Sequence, residues 1–254
     1  MLQAQRLGAH LYARVDDGGR LAHIFSSDLQ RAFKTAEAIR DAQSRAPAVP
    51  VAVVKTADLR EKDFRSSEGK SFRSRRDGVP PQASQDGPET TQEMRIRAER
   101  FIASYLEPIF AAEGAAASGH AVVIVAHGLI LGVLLKAILA KYSPAELLRL
   151  SGLGGGGNSE YLVAWSNTGY LEASVEPKAE QDSVSMVNDT AQQQWRGLIT
   201  VAVKVINCKD HLQGLQRTRG GIGSAKFDEK QKTMDSFFAA SKTKTTGGDP
   251  ETDQ

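Results

Sequence analysis

Ala121-Val122-Val123-Ile124-Val125-Ala126-His127-Gly128 decides the fold. A run of small and β-branched apolar residues offers water no polar alternate positions, so both faces of the strand it forms must be covered. Strands of that kind lie in the middle of parallel sheets with helices on either side. The run ends in a histidine and a glycine at the carboxyl end of the strand, where open α/β sheets place ligands. Apolar character continues to Ala140, but His127, Gly128, Gly132 and Lys136 interrupt it. The stretch therefore reads as a central strand followed by a buried helix, not as a membrane span of ~20 unbroken apolar residues.

Working outward, helical and strand-like segments alternate, as crossover units require. Residues 3–15 have helical spacing with Leu7 and Leu11 one turn apart, and Asp16-Asp17-Gly18-Gly19 stops them. Residues 23–26 read as a strand. Asp28 is placed to cap a helix over about 29–44 whose Ala32, Ala36 and Ile39 share a face. Residues 51–55 are the next strand, and 66–88 form a loop long enough to be a lid. A helix over 89–112 precedes the apolar run. Beyond it, 161–165 and 170–175 pair best as a hairpin around Asn167-Thr168-Gly169. Residues 176–194 read as a flexible insertion, 198–206 as a last strand, and the chain beyond Leu212 as disordered. The expected class is α/β, a mostly parallel sheet flanked by helices, with one domain over 1–212 and a tail over 213–254.

With 254 residues, 41% of them hydrophobic, the chain can bury one sizeable core. A net charge of +2 supplies no global field toward nucleic acid or membrane, so neither is an expected partner and any anion preference must be local. Cys208 is the only cysteine, which predicts a reducing, cytoplasmic setting.

The motif Ser26-Ser27-Asp28-Leu29-Gln30-Arg31-Ala32, the segment Leu59-Arg60-Glu61-Lys62-Asp63-Phe64 with Glu68-Gly69, and Ala126-His127-Gly128 together resemble the histidine phosphatase (phosphoglycerate mutase-like) superfamily. The resemblance extends through Asn207 and His211-Leu212, where His211 is read as structural; His10, His23 and His120 match no motif. It implies a phosphoglycerate mutase-like fold and hydrolysis of phosphorylated small molecules, without metal or cofactor, with mutase chemistry open. It makes Arg31 the phosphate-binding arginine, since a planar guanidinium suits two phosphoryl oxygens at once. It makes Glu61 the carboxylate that protonates the leaving alkoxide and later activates water. His127, protonated, would bind a phosphoryl oxygen and stabilise transition-state charge. Arg65 stands where many members have Gly, and its cation is expected to act on Glu61.

The family's phospho-accepting histidine lies in an Arg-His-Gly element on a first strand beside the one ending at His127, and the 254 residues contain no Arg-His-Gly. The expectation is a domain truncated before that strand and nearly inactive, because loss of the nucleophile removes the covalent route and costs ~10⁶ in turnover. A degenerate domain that only binds is the alternative. In the tail, Gln231-Lys232-Thr233-Met234-Asp235-Ser236-Phe237-Phe238 resembles a PCNA-interacting peptide box. The resemblance implies that Gln231, Met234, Phe237 and Phe238 anchor the chain on a sliding clamp, as apolar plugs with one hydrogen-bonding amide, which would add the nucleus to its locations.

Overall fold

A computed structural model describes residues 1–15, 20–43, 51–67, 87–113, 119–153, 162–177 and 199–215. The apolar run forms the strand His120–Val125, and its alternate residues go to opposite faces: Ala121, Val123 and Val125 to one apolar cluster, Val122 and Ile124 to another. In chain order the elements are α1 (Leu2–Val15), β1 (Arg20–Ser27), α2 (Gln30–Gln43), β2 (Val53–Thr56), α3 (Thr91–Phe101), a π-helical turn (Ile102–Leu106), α4 (Glu107–Glu113), β3 (His120–Val125), α5 (Gly128–Tyr142), α6 (Pro144–Leu153), β4 (Tyr170–Pro177) and β5 (Ile199–Cys208).

The sheet order is β2-β1-β3, all parallel. Thus β1, not β3, is the middle strand among the described residues, and β3 is only half-buried because its ladder runs along one side. The apolar run reports correctly that both faces are covered, but face burial cannot tell a central strand from the last one. A β-bulge lies between Leu21 and His23, and its extra residue lets Leu21 and Ile24, three positions apart, both enter the cluster with Leu7 of α1 and with Ala36 and Ile39 of α2. On that side α1 and α2 lie so close that a Cβ at Gly8 would meet the Ala38 carbonyl oxygen at 2.5 Å. The opposite face carries Phe25 against Met94, Ala98 and Phe101 of α3 and Ile130, Val133 and Leu134 of α5. The result is a parallel sheet flanked by helices, and the carboxyl ends of β1 and β3 open on one edge of it.

The antiparallel partner of β4 is β5, not 162–165, which is not a strand. Asn207, at φ 48°, holds that segment by side chain instead: its Oδ1 accepts from Ser166 N at 3.0 Å and its Nδ2 donates to Ala164 O at 2.9 Å. Val163 is buried in the core there, so packing and one asparagine replace a ladder. The chain divides into two units, Met1–Gln213 and Gly214–Gln254. Residues 231–238, most of 66–88 and most of 176–194 lie outside the described residues. Among the described residues no helix is long and apolar enough to cross a membrane.

Candidate functional site

The turn from β1 into α2 sets the first side chain. Ser27 is fully buried, and its Oγ accepts from Leu29 N at 3.2 Å; Leu29 O then accepts from Ala32 N and Phe33 N at 3.1 Å, which starts the helix. Asp28, the expected cap, turns away and receives Arg60 in a fork, Nε to Oδ1 at 2.7 Å and Nη2 to Oδ2 at 2.5 Å. The Arg60 hydrogen bond holds the Asp28 carboxyl below its usual range, against the effect of burial. A charged fork with two bonds outcompetes a single capping bond. Arg31, in the first turn of α2, reaches across to the end of β3, where its Nη2 stands 3.3 Å from His127 Nδ1.

His127 has an extended backbone at the N-cap of α5 and is 6% exposed. A guanidinium only donates, so His127 Nδ1 must be the acceptor and Nε2 carries the proton, which it donates to Ser27 Oγ at 3.0 Å. This is the neutral imidazole. Burial pushes its pKa down first; Glu61 opposes that and Arg31 adds to it. Without a bound anion, the dry surroundings and the neighbouring cation both penalise a second positive charge here; the protonated state expected from sequence belongs to the phosphoryl-bound site.

Glu61 approaches the same helix end from the loop after β2. Its Oε1 accepts from Lys62 N at 2.9 Å and Ile130 N at 3.3 Å, and its Oε2 from Leu129 N at 3.4 Å. The carboxylate thus rests on amides at the N-terminus of α5, where the helix dipole favours an anion. Arg65 bonds Gly87 O and Glu93, at φ 44°, a left-handed backbone angle that glycine adopts most easily. Glu93 closes a capping box with Thr90, so helix α3 begins at Thr91 and leaves Glu89 free to turn inward. The Thr90 amide, then its hydroxyl, then Arg65 hold the Glu93 carboxyl at about 2.

The three residues singled out from sequence, Arg31, Glu61 and His127, converge on the carboxyl ends of β1 and β3. Three others were not. Ser27 stood inside the motif with no role assigned to it, and Glu89 and Arg97 had no signal at all, since an ion pair between a helix entry and its second turn looks like any solvated charge pattern. His10, which matches no motif, bonds Tyr170 OH through Nε2 at 3.0 Å and so joins α1 to β4. Among the described residues no group of His, Cys, Asp and Glu is arranged to hold a metal ion.

Residues 1–161 match the family model described as histidine phosphatase superfamily (branch 1). A Schizosaccharomyces pombe protein named as a probable phosphatase is 27% identical over 217 residues, covering 84% of this chain and 62% of that protein, so the chain spans less than two thirds of that relative. Among solved structures, mycobacterial hydrolase 1 superposes with a TM-score of 0.53 at 20% identity, over 81% of this chain and 84% of its own. A mycobacterial glucosyl-3-phosphoglycerate phosphatase with inorganic phosphate gives a TM-score of 0.51 at 21% identity, over 81% and 84%. At these identities the two structures show a shared α/β fold.

Proposed function

The chain belongs to the histidine phosphatase superfamily, and from that membership we propose a role in phosphomonoester hydrolysis, with Arg31 and His127 as the phosphate-binding pair and Glu61 as the proton-transfer group. The observation that carries this reading is the facing of Arg31 Nη2 and His127 Nδ1 at 3.3 Å, from side chains 96 positions apart. A cation directed at a neutral imidazole gains little; a phosphate dianion between them takes parallel N–H bonds from the guanidinium and raises the proton affinity of His127. His127 then takes up a proton at Nδ1 and donates it toward a phosphoryl oxygen, while Nε2 stays anchored on Ser27. In the covalent route a histidine nitrogen attacks phosphorus as the ester oxygen leaves, Glu61 gives that oxygen its proton, and Glu61 then takes a proton from the water that cleaves the phosphohistidine. Hydrolysis is favoured over mutase chemistry in this reading. The small-molecule substrate is a phosphomonoester.

The attacking histidine is not among these 254 residues as an Arg-His-Gly element. A polypeptide of this sequence is therefore expected to bind phosphate or vanadate while turning over a model phosphoester negligibly, and fusion of an upstream segment carrying Arg-His-Gly is expected to restore turnover. Calorimetry that cannot distinguish the natural chain from Arg31→Ala would overturn the binding pair; equal turnover with and without the added segment would overturn the assignment of the nucleophile.

A second reading, a binding protein in which the tail engages a sliding clamp, is favoured by the spacing of Gln231, Met234, Phe237 and Phe238. It would place part of the protein in the nucleus as well as the cytoplasm. A peptide over 224–242 is expected to bind a clamp at roughly micromolar affinity, about 8 kcal/mol, because ordering a free peptide offsets part of the burial. The same fluorescence titration signal from the peptide with Phe237→Ala and Phe238→Ala would make the motif a coincidence.

A further inference from the structure

Arg97 lies on α3 with its side chain 16% exposed, and its guanidinium bonds to Glu89 and to the backbone of the loop that leads into Glu61. Its Nε and Nη2 fork onto Glu89 Oε1 and Oε2 at 2.7 and 2.8 Å; its Nη1 donates to Asp58 O at 2.7 Å and Arg60 O at 3.0 Å. Glu89, 8% exposed, carries the grip past Glu61: its Oε2 accepts from Asp63 N at 3.0 Å, and its own N–H donates to Asp63 O at 2.7 Å. One buried pair therefore pins the backbone at residue 60, immediately before Glu61, and at residue 63, shortly after it.

The chemistry of this arrangement is costly for stability alone. Two charges taken out of water recover their desolvation only with good geometry, and an apolar pair of equal volume commonly stabilises as well or better. What an apolar pair cannot do is hold two carbonyls and an amide of an irregular loop at fixed positions. The same helix packs through Met94, Ala98 and Phe101 into the cluster that contains Ile130, Val133 and Leu134 of α5. So α3 carries both the brace on the Glu61 loop and the packing surface for the helix whose Leu129 and Ile130 amides the Glu61 carboxylate contacts.

We propose that Arg97 and Glu89 are positioning residues that set where the Glu61 carboxylate stands at the N-terminus of α5, and with it the field that a bound phosphate meets. This rests on the reading of Arg31 and His127 as an anion site for its second consequence but not for its first. Without the brace, Glu61 leaves the α5 amides. With it, Glu61 stays on them as a carboxylate beside inorganic phosphate, and takes up a proton from solvent before it serves as the acid for an ester.

The test reads both consequences separately. In ¹H–¹⁵N spectra of the natural chain without phosphate, Glu61→Gln is expected to shift the Leu129 and Ile130 amides, and Arg97→Lys, which keeps a charge against Glu89 but cannot make the fork and both carbonyl bonds, is expected to shift the same amides in the same direction. Should Arg97→Lys fail to fold, Glu89→Gln loosens the fork while leaving Arg97 its carbonyl bonds, and the same comparison applies. Phosphate titrations then form a cycle. Glu61→Gln is expected to tighten phosphate severalfold in the natural background and to have no effect in the Arg97→Lys background. Leu129 and Ile130 amides that stay in place in a folded Arg97→Lys or Glu89→Gln protein would overturn the positioning role, as would an unchanged Glu61→Gln effect in that background. No phosphate binding by any protein, with the amide shifts present, would overturn the anion site and leave the brace standing.

Discussion

Two histidines, His127 and His211, are almost equally buried at 6% and 7% exposed, and burial pushes the pKa of each below its ordinary value. What faces them differs. His127 uses one nitrogen on Ser27 and turns the other toward a guanidinium. His211, in the short 3₁₀ turn Asp210–Leu212 after β5, bonds Thr168 Oγ1 through Nε2 at 3.0 Å, has no hydrogen-bond partner for Nδ1, and lies 5.9 Å from the ring of His10 and 6.2 Å from that of Tyr170. Among the described residues no guanidinium bonds its second nitrogen, and the charges that act on it are those of His10 and Asp210. Burial and a lowered pKa are common to both; the group opposite the second nitrogen separates them, and on the proposed function it is that group which would mark a site.

The strongest way to break this comparison is phosphate affinity. Arg31→Ala is expected to weaken phosphate about 10- to 100-fold, as loss of a charge-assisted bond of about 1.5–3 kcal/mol would. His211→Ala is expected to leave it unchanged, and calorimetry showing equal losses would end the distinction. Stability should sort the two the other way. Replacing His211 by alanine removes a ring packed against His10 and Tyr170 and should cost about 2 kcal/mol in urea denaturation. His127→Ala, which relieves a desolvated ring beside Arg31, should cost less than half as much.

The smallest effect is in acid. Each imidazole has a folded pKa below the ordinary 6.5, so the unfolded chain takes up the proton first. The stability held above about pH 6.5 is then expected to fall as pH drops from there toward the lowered folded values. Phosphate should restore the share due to His127, by favouring its protonated form, and leave the share due to His211. Denaturation midpoints between pH 7.5 and 5 with and without phosphate would measure this; restoration of the whole loss would mean that the two histidines are not different in kind.

Much of this protein was decided locally. The apolar run at 121–126, the 3.6-residue spacing of Leu7 with Leu11 and of Ala32 with Ala36 and Ile39, and the β-branched residues of 199–206 specify strands and helices through side-chain period and propensity, and the α/β class follows from their alternation. Arg31, Glu61 and His127 were legible because each lies in a short motif at a strand end. The tertiary structure decided what depends on which distant atom lies nearest. It gave β4 to β5 where adjacent residues had seemed the natural hairpin partner, because Asn207 satisfies the backbone at Ala164 and Ser166 without a ladder. It turned Asp28 from a helix cap to Arg60, and joined Arg65 to Glu93. It also made Glu89 and Arg97 a single brace and made His127 a neutral acceptor. A hydrogen bond falls away within a few tenths of an ångström and a charge is strengthened or cancelled by its burial, and both are fixed only when the chain has closed on itself.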